Sequence, residues 1–133
     1  MGLDMYAYAS NVKDVECEVN PEKEIKEQTE ELAYWRKHNR LHGWFQNKWE
    51  NKIVGLDEVQ FNCVRYYMNS HDLNELEFDL KGQLLPDTQG FFFGNDSYSD
   101  DEKEEQIKFD LKFVEDARKA LKQGKHVYYT SWW

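Results

Sequence analysis

Between Tyr34 and Phe45 the chain reads Tyr34-Trp35-Arg36-Lys37-His38-Asn39-Arg40-Leu41-His42-Gly43-Trp44-Phe45, with polar groups where helical spacing asks for apolar ones. Ile25, Leu32 and Trp35 lead at that spacing into Asn39 and His42, and Trp49 follows. Burying an unpaired amide or imidazole costs about 1–3 kcal/mol, so these side chains must find partners inside the fold or face a ligand. Trp35, Arg36, Asn39 and His42 could together hold an anion or a base. Arginine would supply a planar fork, asparagine a donor and an acceptor, and tryptophan a stacking face. The alternative is structural: Arg36 caps carbonyls or pairs with an acid, while Asn39 and His42 tie the segment to neighbouring backbone. The structural reading is preferred, and the ligand site is kept beside it.

His38 and His42 stand four residues apart, the separation that sets two imidazoles on one helical face. The glutamate of an H-E-x-x-H zinc motif is missing, because Asn39 follows His38. No metal or other cofactor is therefore expected; His42 reads as a hydrogen-bonded core histidine and His38 as an exposed one. The chain has no glycine-rich phosphate loop, no G-x-S-x-G elbow and no convincing Cys-His pairing, so no catalytic residue is assigned. Cys17 and Cys63 lack C-x-x-C spacing and read as buried, reduced thiols.

A second group of residues suits contact with a partner. Phe91, Phe92 and Phe93 lie between Gly90 and Gly94, and the chain ends Tyr128-Tyr129-Thr130-Ser131-Trp132-Trp133. Contiguous exposed aromatics mark interfaces, although such a run more often fills its own core, and the tail allows the same two readings; as a terminal strand it exposes one of Trp132 and Trp133 by alternation. Asp100, Asp101, Glu104 and Glu105 add an acidic cluster that either favours a helix dipole or mimics phosphates on a nucleic-acid enzyme. With 26 acidic against 17 basic residues and a formal charge of -9, direct binding to nucleic-acid phosphates is disfavoured. A host-protein partner is expected, and a homodimer stays open. No apolar run reaches the ~18 residues of a membrane span, and no signal peptide is legible, so the expected location is cytoplasmic.

The elements that position these residues follow from periodicity. Leu3 to Tyr8 alternates like a half-buried strand. Asn20 and Pro21 suit the start of a first helix that runs through the Tyr34–Phe45 motif, with Gly43 able to bend it. Asp57 can cap a second helix with Leu56, Val59, Cys63 and Tyr66 inward, ending near Asn69. Glu75 to Lys81 fits a strand by Leu76, Phe78 and Leu80, or a helix by Leu73, Leu76, Leu80 and Leu84. Ser99 to Glu102 forms a capping box for a third helix with Ile107, Leu111, Val114, Ala117 and Leu121 on one face, stopped by Gly124. His126 to Trp133 is a final strand. The sum is one α+β domain over residues 1–133: three helices packed on a small antiparallel sheet that includes both terminal strands.

With these residues in view, the chain resembles an uncharacterised family of small phage and prophage proteins. The resemblance rests on the start Met1-Gly2-Leu3-Asp4-Met5-Tyr6 and on Tyr34-Trp35-Arg36-Lys37 with Asn39, His42, Trp44 and Phe45. Leu84-Leu85-Pro86 before Gly90–Gly94, and the ending Tyr128-Tyr129 to Trp132, complete it. It spans nearly the whole chain and implies a phage-encoded accessory protein in a bacterial cytoplasm. It carries over no activity. The expected function is protein–protein binding, extending to inhibition of a host defence or nucleic-acid enzyme; the alternative is a small enzyme or ligand-binding domain with a polar site on the first helix.

Overall fold

Alternation is the rule at both ends of the chain. The computed structural model describes residues 3–13, 15–20, 29–36, 38–52, 61–85 and 100–132. Strand β1 covers Asp4–Ser10 and turns Met5, Ala7 and Ala9 into the core while Tyr6 and Tyr8 point the other way. Strand β2 covers Thr29–Arg36, helix α1 Asn39–Lys52, strand β3 Arg65–Met68, helix α2 Ser70–Lys81, helix α3 Asp100–Lys122 and strand β4 His126–Trp132. The strands form one antiparallel sheet in the order β2-β1-β4-β3. The terminal strands β1 and β4 are its central pair, with Asp4 opposite Trp132 and Ser10 opposite His126. The three helices pack on this sheet to give the expected α+β class.

The expected first helix is corrected over Thr29–Arg36, which is a strand. Leu32, Trp35, Asn39 and His42 keep helical spacing on paper, but the chain is extended through Arg36 and helical only from Asn39. Ala33 and Trp35 turn inward opposite Ala7 and Met5, while Tyr34 and Arg36 face outward opposite Tyr6 and Asp4. Pairing with β1 along the whole strand outweighs helix preferences that differ by about 0.7 kcal/mol per residue at most. The register steps between Ala7 and Tyr8, which pair with Ala33 and Glu31, so Leu32 is one residue more on β2 than on β1. The bulge returns Glu31 to the outward face beside Tyr8. The proposed helix start at Pro21 lies outside the described residues. Gly43 sits buried inside α1 without ending it.

The expected second helix is also replaced where it can be followed. Tyr66 belongs to β3, and Cys63 has φ 64, a left-handed conformation that no helix accommodates. Its N–H donates to the Ser131 carbonyl at 2.7 Å, which fastens the entry to β3 against β4. The ambiguous segment from Glu75 is helical. Asn69 caps α2 by accepting from Asp72 N–H, and the Asp72 carboxylate accepts from Asn69 N–H, a reciprocal box that commits the following turn to a helix. Leu73, Leu76 and Leu80 are buried on its inner face, whereas Phe78 is exposed. Helix α3 begins at Asp100, where the capping motif places it; its buried stripe is Asp110, Phe113, Val114, Ala117 and Ala120. Gly124 ends the following turn at φ 83.

The core between sheet and helices is aromatic. Phe45 of α1 stacks on Tyr129 of β4 at a centroid distance of 4.0 Å, and Phe61 lies over the same tyrosine. Ala7, Ala9 and Ala33 leave the sheet surface low, which makes room for these large rings between sheet and helices. Trp44 Nε1–H of α1 donates to Asp79 of α2 at 2.8 Å, and Arg118 of α3 bridges Glu77 and Asn74 of α2.

Candidate functional site

The four residues singled out as a ligand site are divided between two faces of the sheet and a helix. Trp35 is buried under β2, Arg36 is exposed on the opposite face, and Asn39 and His42 are fully buried in the first turn of α1. The sheet therefore separates Arg36 from the other three. Inside the fold the polar residues sort into two networks. In the first, Asp110 of α3 accepts Trp35 Nε1–H at 2.7 Å and Gln106 Nε2–H at 3.0 Å, and its second oxygen pairs with His38 Nε2 at 2.7 Å. His38 is buried rather than exposed as the sequence suggests, because Asp110 offers its ring a partner inside the core. Its carbonyl also accepts the N–H of His42, the first bond of α1.

The second network joins His42 Nδ1 to the Tyr129 hydroxyl at 2.7 Å. Burial lowers His42 to about 4, so the ring is neutral at physiological pH. Burial likewise raises the Tyr129 hydroxyl well above its ordinary range, and a hydrogen bond with the Ser131 side chain opposes that shift. A Ser131 hydroxyl donating to the phenol oxygen leaves the phenol proton for His42 Nδ1, which sets the Nε2–H tautomer. Neither network opens on a space of ligand size. The cleft beside His38 and Asp110, bordered by Arg40, Leu80, Gln83 and Gln106, holds about 50 Å³. Small-molecule pockets run about 300–1,000 Å³. Among the described residues no group of three His, Cys, Asp or Glu side chains is placed to hold a metal.

The outer face of the sheet is different in kind. Tyr6 and Tyr8 of β1, Tyr34 of β2, Tyr67 of β3 and Tyr128 and Trp132 of β4 all lie on it. Tyr6 stacks on Tyr8 at 5.9 Å and meets Tyr34 at 5.1 Å; Tyr128 bridges Tyr8 and Tyr67. The β3 end is covered. The 3-10 turn Val15–Glu18 packs there, Lys13 lies over Tyr67, and the Glu18 carboxylate accepts Tyr67 N–H and pairs with Lys52. Toward β2 the rings are open: Tyr34 is 43% and Trp132 68% exposed, with Tyr6 and Tyr8 half-buried between them.

The Tyr34 hydroxyl donates to Asp4 at 2.7 Å, and that bond holds its pKa above the ordinary value. Tyr8 is raised as well, by burial first and by the Glu31 carboxylate second. A groove of about 420 Å³ crosses this face, lined by Tyr6, Tyr8, Arg65, Tyr128, Thr130 and Trp132. Cys17 and Cys63 both border it. Cys17 is buried as expected, but Cys63 is exposed, because its left-handed turn carries it out of any helix.

Of the residues proposed for partner contact, Trp132 is on this face and exposed, and Glu104 and Glu105 are exposed on α3. Phe91, Phe92, Phe93 and Trp133, and the side chains of Asp100 and Asp101, lie outside the described residues. Sequence reasoning did not assign Asp110, Tyr129, Tyr6, Tyr8 or Tyr34 to a site. The tyrosines were within reach, since Tyr6 and Tyr8 alternate with buried residues in a recognised strand. Asp110 was signalled only as one acid within an otherwise apolar helical face. The chain matches no family model, no curated protein and no solved structure.

Proposed function

We propose that the protein acts by binding another protein, with the open part of the tyrosine face as its contact surface. The observation that carries this reading is the exposure of Tyr34 and Trp132 on either side of the half-buried Tyr6 and Tyr8. Rigid aromatic rings give large contact area at low conformational cost, and clustered exposed rings mark interfaces. The buried polar networks, by contrast, are spent on joining β2, α1, α3 and β4. Single-stranded nucleic acid also stacks on aromatic sheet faces. Here Asp4 and Glu31 stand among the rings and the whole chain carries -9, which opposes a phosphate backbone. With the resemblance to phage and prophage proteins, the reading becomes a small accessory protein acting on a host protein in a bacterial cytoplasm, inhibition of a defence or nucleic-acid enzyme included. No helix among the described residues is long and apolar enough to cross a membrane.

The test is quantitative capture from bacterial lysate at low salt with the native chain and with the double variant Trp132→Glu, Tyr6→Ser. The expected result is one stoichiometric protein recovered by the native chain and lost by the variant, with unchanged far-ultraviolet circular dichroism. Recovery of no such protein, or of the same protein by both, overturns the proposal.

A further inference from the structure

Strand β2 is an edge of the sheet: β1 lies on one side of it, and among the described residues no strand lies on the other. An edge strand of eight residues presents unpaired backbone donors and acceptors and invites another strand. Two exposed aromatics flank this edge, one on each face of the sheet. Tyr34 points outward at 43% exposure; Phe109 of α3, 44% exposed, packs edge-on against Trp35 beneath β2. At opposite ends of the strand stand Glu31 and Arg36, both exposed on the outer face, and among the described residues neither is in an ion pair.

We propose that β2 pairs antiparallel with β2 of a second copy of this chain, joining the two sheets across a twofold axis at Tyr34. The bulge fixes the register. Strand partners must share a face, and Leu32 is the extra residue that brings Glu31 to the outer side. The alignment that keeps inward residues opposite inward ones sets Tyr34 against Tyr34 of the second copy and Ala33 against Trp35. Glu31 of each copy then falls opposite Arg36 of the other, on the outer face, and the symmetry makes this pair twice. Without the bulge Glu31 would point inward and meet no arginine. The interface sets the two Tyr34 rings side by side on the outer face and brings the two Phe109 rings toward each other on the other. It also doubles the tyrosine face, with Tyr6 and Tyr34 of both copies in one row. This inference stands apart from the proposed host partner, since it rests on the edge and its charges rather than on the open groove.

Sedimentation equilibrium of the native chain, of Arg36→Glu, of Glu31→Arg and of a mixture of the two variants tests it. The expected results are a dimer for the native chain and a dissociation constant raised at least about tenfold for each variant alone, where two like-charged pairs face each other. Mixing the variants should restore association, because each heterodimer regains both Glu–Arg pairs. A native monomer at the highest soluble concentration overturns the proposal, as does a dimer indifferent to both substitutions. Variants that dissociate but fail to associate on mixing overturn the antiparallel register. Both side chains are exposed, and circular dichroism confirms that each variant is folded before its mass is read.

Discussion

Trp35 and Asp110 lie 75 residues apart in the chain and meet at 2.7 Å, the indole N–H of β2 donating to a carboxylate on α3. The same carboxylate holds His38 and Gln106, so one buried acid fixes the end of β2, the start of α1 and the middle of α3.

Removing that acid strands several buried donors at once. Asp110→Ala should lower unfolding stability by about 3–5 kcal/mol, the range for breaking a buried charged network from one side. Trp35→Phe, which removes one donor and keeps most of the ring area, should cost about 1–3 kcal/mol. Urea denaturation followed by circular dichroism measures both; an Asp110→Ala midpoint equal to that of Trp35→Phe would contradict the shared role of the carboxylate.

His42 gives the fold a pH dependence of known sign. Folded, the ring titrates at about 4, against 6.5 for the ordinary histidine of the unfolded chain. Between these values the unfolded chain binds a proton that the folded one refuses. The contribution is therefore complete above pH 6.5 and drains away as pH falls toward 4, by roughly 3 kcal/mol in all. His42→Gln keeps an acceptor for the Tyr129 hydroxyl but cannot titrate. Thermal melts at intervals from pH 7 to 4.5 should show the native chain losing more stability than this variant; parallel curves would rule out the buried neutral imidazole.

The two thiols should behave unequally. Cys63 is exposed and Cys17 is 2% exposed, so a thiol reagent should modify one cysteine in the native protein and the second only on unfolding. Burial raises the Cys63 thiol, so its reaction at neutral pH should be slower than that of a free cysteine. Peptide mapping that finds Cys17 modified first would contradict the packing of the Val15–Glu18 turn.

Exposed aromatics on the tyrosine face should be dispensable for folding. Trp132→Ser should change stability by about 0.5 kcal/mol or less, as surface replacements do, while Tyr129→Phe, on the buried face of the same strand, should cost about 1–3 kcal/mol by leaving His42 Nδ1 without its phenol. Denaturant midpoints of the two variants check the contrast; a large loss for Trp132→Ser would mean that the ring is packed rather than presented.

Much of the fold was legible. Tyr6 and Tyr8 alternate with Met5 and Ala7, and β-branched and aromatic residues mark His126–Trp132, so both terminal strands could be read locally. The capping residues of α3 and Gly124 bracket that helix correctly. Thr29–Arg36 is ambiguous in sequence because its apolar residues satisfy two periods at once: Leu32, Trp35 and His42 keep helical spacing, while Ala33 and Trp35 keep the spacing of a strand. The candidate site was legible only as residue types. His42 had to be satisfied or functional, and the chain itself does not contain the distance to Tyr129 that decides between the two.

By itself the sequence determined which segments carry local instructions: the alternating ends, the helical stripe after Asp100 and the demand that buried polar groups be paired. Only the tertiary structure decided where those instructions lead. Pairing of β1 with β2 made a strand of a segment with helical spacing, because ladder contacts along its length exceed small differences in propensity. The same pairing sent Trp35 down to Asp110 and Arg36 up to the open face, since neighbouring residues of a strand point to opposite sides. One expected site thus became a buried lock and an exposed tyrosine surface.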